Sequence, residues 1–129
     1  MTRAILDTSV FIAAEQGRPV RRALPDMVSV SVVSIAELEL GVLVARGATA
    51  RAQRLRTLTE LRALGAAVSI DERTGSAYAR LAATVLAAGR KPRIHDTWIA
   101  ATALVNDAEV WTQDEDFSDF AESVPVVRI

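Results

Sequence analysis

Residues 3–15 read Arg3-Ala4-Ile5-Leu6-Asp7-Thr8-Ser9-Val10-Phe11-Ile12-Ala13-Ala14-Glu15. Ala4, Ile5 and Leu6 form a short continuous apolar run, the pattern of a strand buried on both faces of a parallel sheet. Asp7 ends that strand. Thr8 and Ser9 follow and can cap a helix to about Glu15, which Gly17 and Pro19 break.

The same alternation continues outward from this segment. Valine-rich Met27–Ser31 reads as a second strand. Ser34 opens a helix with Glu37 three residues later, Leu38, Val42 and Ala45 continue one face, and Gly47 ends it. A third helix spans about Ala48 to Leu64, with Leu55, Leu58, Leu61 and Leu64 on one side. Ala66–Ile70 reads as a strand, and Asp71 caps a fourth helix whose Ala77, Leu81, Val85 and Ala88 recur at helical spacing. A fifth helix runs from about Asp96 to Val105, Glu109–Thr112 is a strand, Gln113–Asp119 an acidic loop, and Pro125–Ile129 a closing strand. Strands alternating with helices imply an α/β domain with a mainly parallel sheet of four to five strands and helices on both faces. No repeat or linker divides the chain, so residues 1–129 are expected to form one domain.

Composition bounds the function. The chain of 129 residues carries 15 basic and 16 acidic side chains, for a formal charge of -1. A uniformly basic nucleic-acid binder is therefore excluded, while a local basic groove beside a local acidic cluster is not. With no cysteine and one histidine, disulfides, zinc–thiolate sites, thiol nucleophiles and multi-histidine metal sites are excluded. Neither a signal-peptide core nor a membrane-length apolar run is visible, so a cytoplasmic protein with no membrane association is expected.

Ligands of open α/β sheets bind at the carboxyl ends of the strands. Asp7, Glu37, Asp96, Asp114 and Asp116 all fall at strand ends or on the adjoining helix turns. Each also has an ordinary reading. Asp7 and Asp96 suit helix caps, Ser34-Ile35-Ala36-Glu37 matches a capping box, and Asp114-Glu115-Asp116 suits a solvated loop. Taken together at one sheet edge they mean more. Ionised carboxylates about 4 Å apart repel by roughly 4 kcal/mol at an effective dielectric near 20, so such a cluster takes up protons or cations. Oxygen ligands without histidine or cysteine select Mg²⁺ or Mn²⁺, and the chemistry those ions suit is phosphodiester hydrolysis.

Four segments resemble the motifs of the PIN-domain nucleases, and among them the VapC toxins of VapBC toxin–antitoxin pairs. They are Leu6-Asp7-Thr8-Ser9-Val10, Val32-Val33-Ser34-Ile35-Ala36-Glu37-Leu38 with Gly41, His95-Asp96-Thr97-Trp98-Ile99-Ala100-Ala101-Thr102-Ala103, and Thr112-Gln113-Asp114-Glu115-Asp116-Phe117. They occur in the family's order across nearly the whole chain. The resemblance implies a three-layer α/β/α PIN-like domain. It puts Asp7, Glu37, Asp96 and Asp114 at acidic catalytic positions that bind metal, with Asp116 as an auxiliary acid and Thr8, Ser9 and Thr112 as supporting hydroxyls. For Glu37 it favours metal ligation over capping. It further implies a Mg²⁺- or Mn²⁺-dependent endoribonuclease acting on RNA, often tRNA or ribosomal RNA. Implied partners are a second copy, giving a homodimer, and a cognate VapB antitoxin, giving a heterotetramer or larger. His95 is not a consistent family ligand and reads as a surface or supporting residue.

RNA binding requires positive charge near the acids. Arg90, Lys91 and Arg93 immediately precede Asp96 and are the nearest candidates. Further groups are Arg18, Arg21 and Arg22, and the arginines of the third helix. Trp98 and Trp111 lie in apolar runs and read as core. A phosphoacceptor receiver domain is disfavoured because Leu6 precedes Asp7 and the only lysine, Lys91, sits between helices. A haloacid-dehalogenase-type phosphatase is disfavoured because Asp7-Thr8-Ser9 is not Asp-x-Asp. A PIN-fold RNA-binding or regulatory protein with little turnover is the remaining alternative. Without Asp7, Glu37, Asp96 and Asp114, 15 basic residues face 12 acidic ones, while Asp107 to Glu122 holds seven acids and no base. The near-neutral total conceals a divided charge distribution.

Overall fold

A computed structural model describes residues 3–129. Met1 and Thr2, part of the leading segment read for a signal sequence, lie outside the described residues. The elements in chain order are β1 (Arg3–Leu6), α1 (Thr8–Glu15), β2 (Met27–Ser29), α2 (Val32–Leu43), α3 (Ala48–Arg62), α4 (Glu72–Ala87), α5 (Ile94–Val105), β3 (Glu109–Thr112) and β4 (Val126–Arg128). A 3-10 turn at Glu115–Phe120 lies between the last two. The four strands form one parallel sheet in the order β2-β1-β3-β4.

The apolar run in β1 is buried on both faces because side chains alternate along a strand. Ile5 packs on one side with Val110, Leu81, Val85, Ile99 and Phe117. Ala4 and Leu6 pack on the other with Val10, Val30, Leu61 and Trp111. Helices α4 and α5 cover the first face, and α1 and α3 contribute to the second, giving three layers. The repeat in α4 is legible because its spacing is obeyed in space: Ala77, Leu81 and Val85 are all buried. Asp71 caps this helix through a reciprocal box with Thr74.

Several expectations are corrected. Asp7 itself, and neither Thr8 nor Ser9, is the N-cap of α1, accepting from the Ser9 amide. Helix α2 begins at Val32, two residues before Ser34, with Ser31 as its cap. The Ser34–Glu37 capping box therefore does not form, and both residues are released for other contacts. Gly47 does not end α2, which stops at Leu43; with φ of 90° it is the N-cap of α3, in a conformation that favours glycine. The strand expected at Ala66–Ile70 reduces to a single bridge between Ser31 and Val68. Helix α3 ends at Arg62, short of the expected Leu64, and of its leucines Leu58 and Leu61 are buried while Leu55 is exposed, as is Leu64 beyond the helix. Helix α5 starts at Ile94 rather than Asp96, which places Asp96 in its first turn.

Candidate active site

Because β1 and β3 are parallel neighbours, their carboxyl ends lie side by side, with Leu6 opposite Trp111. Asp7 therefore meets Thr112 although 105 residues separate them. The Thr112 hydroxyl donates to Asp7 Oδ2 at 2.9 Å. The Ser9 hydroxyl donates to the same oxygen at 2.6 Å, and the Ser9 amide approaches it at 3.4 Å. Asp7 is almost completely buried. All of its side-chain hydrogen bonds among the described residues go to Oδ2, leaving Oδ1 without a partner.

The remaining loop is tied to the same hydroxyls. The Gln113 amide donates to Ser9 Oγ (3.0 Å) and the Asp114 amide to Thr112 Oγ1 (2.9 Å). Thr112 thus sets the positions of two acids at once. Thr112→Val keeps the shape and deletes the hydroxyl, leaving the Asp114 amide unpaired and Asp7 short of one bond. We expect a loss of about 1–3 kcal/mol in urea unfolding.

Glu37 is held separately. Thr8 Oγ1 donates to Glu37 Oε1 at 2.9 Å and shares a hydrogen bond with Ser34 Oγ at 2.9 Å. His95 Nδ1 lies 3.5 Å from Glu37 Oε2. The role of Ser34 was hidden in the sequence, where S-x-x-E reads as a cap. Glu39 faces away and pairs with Arg62 at 3.6 Å, as its two-residue offset from Glu37 requires.

Asp96 and Asp114 reveal how crowded the site is. Burial raises the carboxyl of Asp96 to about 6, and the negative charges of Asp7, Asp114 and Asp116 push in the same direction against Arg93. Asp114 is also raised, first by burial and then by Asp7 and Asp116, with Arg18 and Arg93 opposing. Asp7, Asp96, Asp114 and Asp116 therefore share one electrostatic neighbourhood. Glu37 borders it, lining a cleft together with Asp96. Arg18, which the sequence offered only as one member of a basic group, is felt at Asp114.

The basic connector is partly committed. Arg93 pairs with Asp116 at 2.8 Å and Arg90 with Asp119 at 2.9 Å. Arg128 of β4 pairs with Glu115 at 2.8 Å. The acidic stretch has no base of its own, yet three arginines from elsewhere in the chain hold it. Trp111 is buried beneath Arg22, whose guanidinium lies 4.9 Å from the ring centroid, and Trp98 packs on Tyr78 with centroids 4.2 Å apart. Trp111 is thus a core residue, as the sequence suggested, whereas Trp98 is only half-buried and packs at the margin of the core against Tyr78.

The donor set suits a hard divalent cation in kind: carboxylate oxygens, one with a free Oδ1, in a neighbourhood whose charges repel enough to raise two of the acids. Among the described residues, no group of three or more acidic or imidazole side chains is yet arranged to hold an ion.

Comparison with known proteins agrees with this architecture. Residues 4–123 match the PIN domain family model. The chain is 44% identical over 128 residues to ribonuclease VapC5 of Mycobacterium tuberculosis, covering 97% of this chain and 94% of that protein. It is 43% identical over 129 residues to ribonuclease VapC4 of the same organism, covering 98% and 97% respectively. The crystal structure of VapBC-5 from M. tuberculosis, a member of the VapBC family of toxin–antitoxin systems, superposes with a TM-score of 0.90. Its identity is 39%, with full coverage of both chains.

Proposed function

The chain belongs to the PIN domain family, and from that premise we propose that it is an endoribonuclease toxin of the VapC kind. In this reading the whole chain, residues 1–129, acts as one PIN domain in the cytoplasm. The observation that supports the chemistry is the joining of Asp7 and the Asp114 backbone through one Thr112 hydroxyl at the carboxyl ends of β1 and β3, with Asp96 in the first turn of the adjoining α5.

Asp7, Asp96 and Asp114 would hold Mg²⁺ or Mn²⁺, with Glu37 and Asp116 at the margin. When bound, the ion supplies an activated water and neutralises charge on the phosphodiester under attack. The chain's own residues prepare for that chemistry. Ser9 and Thr112 hold Asp7 Oδ2 and direct Oδ1 away from their own bonds. Thr8 anchors Glu37. Burial of Asp7 at the end of the sheet shields that carboxylate from bulk water, which strengthens its pull on a cation, while the half-buried Asp96 and the exposed Asp114 leave the site open to substrate. Arg18 and Arg93 add positive charge at the edge, where a phosphate backbone must approach.

Purified protein, separated from any partner, is expected to cleave total RNA with Mg²⁺ or Mn²⁺ and to stop when EDTA is added. Cleavage that persists in the chelator would overturn the metal-dependent reading. Transfer RNA and ribosomal RNA are the first substrates to test.

We also propose that a VapB antitoxin binds this chain in an assembly larger than the single chain. The relative superposing at a TM-score of 0.90 was crystallised as a toxin–antitoxin system. Here Leu40, Leu43 and Val44 at the end of α2 are 59, 69 and 60% exposed, an apolar patch of the sort that marks a protein interface. A small protein encoded immediately upstream should co-purify with the chain and suppress the cleavage. Absence of both effects would remove the toxin assignment while leaving the nuclease assignment in place.

A further inference from the structure

The cleft beside Asp96 has two unlike walls. It measures about 660 Å³, a size that accommodates an organic ligand of nucleotide dimensions. Glu37 and Asp96 make one side acidic. Lys91, Pro92, Arg93, Ile94 and His95 line the rest of it. An entirely acidic cleft would repel RNA, whereas this one places positive charge, an imidazole and an aliphatic side chain next to the acids.

The connector carrying these groups is held in place. Arg90 is tied to Asp119 and Arg93 to Asp116. The two guanidiniums on either side of Lys91 are thereby each engaged by a carboxylate of the acidic stretch. Among the described residues Lys91 forms no ion pair, so it is the uncommitted cation of the three. Ile94 is 63% exposed, an unusual place for an isoleucine unless something covers it. The His95 side chain is 62% exposed and is approached at Nδ1 by Glu37 Oε2, itself anchored by Thr8.

A flat ring restrained at one edge, an exposed aliphatic neighbour and a free ammonium are what an unpaired nucleotide requires: a surface to stack its base on and a cation for its phosphate. We propose that this cleft seats the single-stranded nucleotide flanking the scissile phosphate, with His95 and Ile94 against its base and Lys91 on its backbone. The proposal rests on the nuclease reading of the acidic pocket and extends it to substrate selection. His95 then supplies stacking affinity with only the modest base preference that differences in stacking strength give, and Lys91 supplies affinity independent of sequence.

Two measurements on the full chain test it. The first reads cleavage ends from a randomised single-stranded RNA pool in Mg²⁺. His95→Ala is expected to slow cleavage of the pool by about tenfold, the scale of one lost stacking contact, and to erase the modest base preference at one flanking position. His95→Phe, which restores a flat ring, is expected to retain a preference. The second measures fluorescence-anisotropy binding of the same pool in EDTA across a salt series. Lys91→Ala should weaken binding to all sequences alike and reduce the slope of log K against log salt by about 0.7. An unchanged cleavage pattern in His95→Ala together with an unchanged salt slope in Lys91→Ala would overturn the proposal. So would a loss of affinity for the upstream-encoded antitoxin with RNA behaviour unaltered, which would make the cleft a protein contact. If the unsubstituted chain cleaves nothing, the nuclease reading has failed. The binding series then decides the cleft by itself: an unchanged slope in Lys91→Ala overturns it, and a reduced slope supports it as an RNA seat.

Discussion

Asp96→Asn is expected to lower RNA cleavage by about 100-fold or more while making the metal-free protein more stable at neutral pH. The activity loss follows from removing a carboxylate proposed to hold the cation, where several kcal/mol of charge stabilisation convert to two or more orders of magnitude in rate. The stability gain follows from electrostatics. In the folded protein the Asp96 carboxyl is raised from 3.8 to about 6 by burial and by Asp7, Asp114 and Asp116. Between those values the folded chain holds a proton that the unfolded chain has released, so stability falls as pH rises. The stabilising contribution is complete below the unfolded value and is lost as pH passes through about 6. Thermal unfolding in EDTA should therefore give the asparagine variant the higher Tm at pH 7.5, with the gap narrowing at pH 5 and closing only below the unfolded value of 3.8. Addition of Mg²⁺ should raise the Tm of the unsubstituted chain and leave Asp96→Asn nearly unmoved. A variant less stable than the parent at pH 7.5 in EDTA would contradict this account of the site.

Phe117→Ala is expected to produce the largest loss of stability, about 3–5 kcal/mol, from the cavity left by a fully buried ring. That is a large share of the 5–15 kcal/mol typical of a small domain. Phe117 has 0% exposure, lies in the core cluster with Ile5, Val110 and Ile99, and meets Phe120 edge-on at 6.2 Å. It is also the anchor of the 3-10 turn that carries Asp116 and follows Asp114. Urea unfolding should show the midpoint shift. Cleavage at a temperature where the variant remains folded should still be reduced, because the turn loses its hold on the core. A change below 1 kcal/mol would mean that the turn is not pinned by this ring.

Asp7 and Asp114 are legible because each follows a strong local signal. Asp7 comes after an apolar triplet and Asp114 after the strand that ends in Thr112, so both could be placed at strand ends from their neighbours alone. The buried repeat of α4 was equally plain. Other positions misled for identifiable reasons. Ser34 and Glu37 satisfied a capping pattern, but Ser31 capped the helix first, and Ser34 was left to bond with Thr8. Ala66–Ile70 has strand composition, yet only Val68 finds a partner, because the sheet's edge strand β2 is just three residues long and ends at Ser29. Leu55 shares the helical spacing of Leu58 and Leu61 yet is exposed, and Leu64 falls past the end of α3 at Arg62, where helical spacing no longer applies.

From residue order alone came the alternation of strand and helix, the four acidic positions and the exclusion of thiol and multi-histidine chemistry, since these depend on neighbours a few places apart. The pairing of charges belongs to the tertiary structure. Seven acids between Asp107 and Glu122 have no base in their own segment, yet Arg90, Arg93 and Arg128 reach Asp119, Asp116 and Glu115 across the fold. The same is true of Thr112 on Asp7, a contact set by the parallel register of β1 and β3. Hydrogen bonds and ion pairs act over a few ångströms of space, and only the folded sheet brings residues a hundred positions apart within that range.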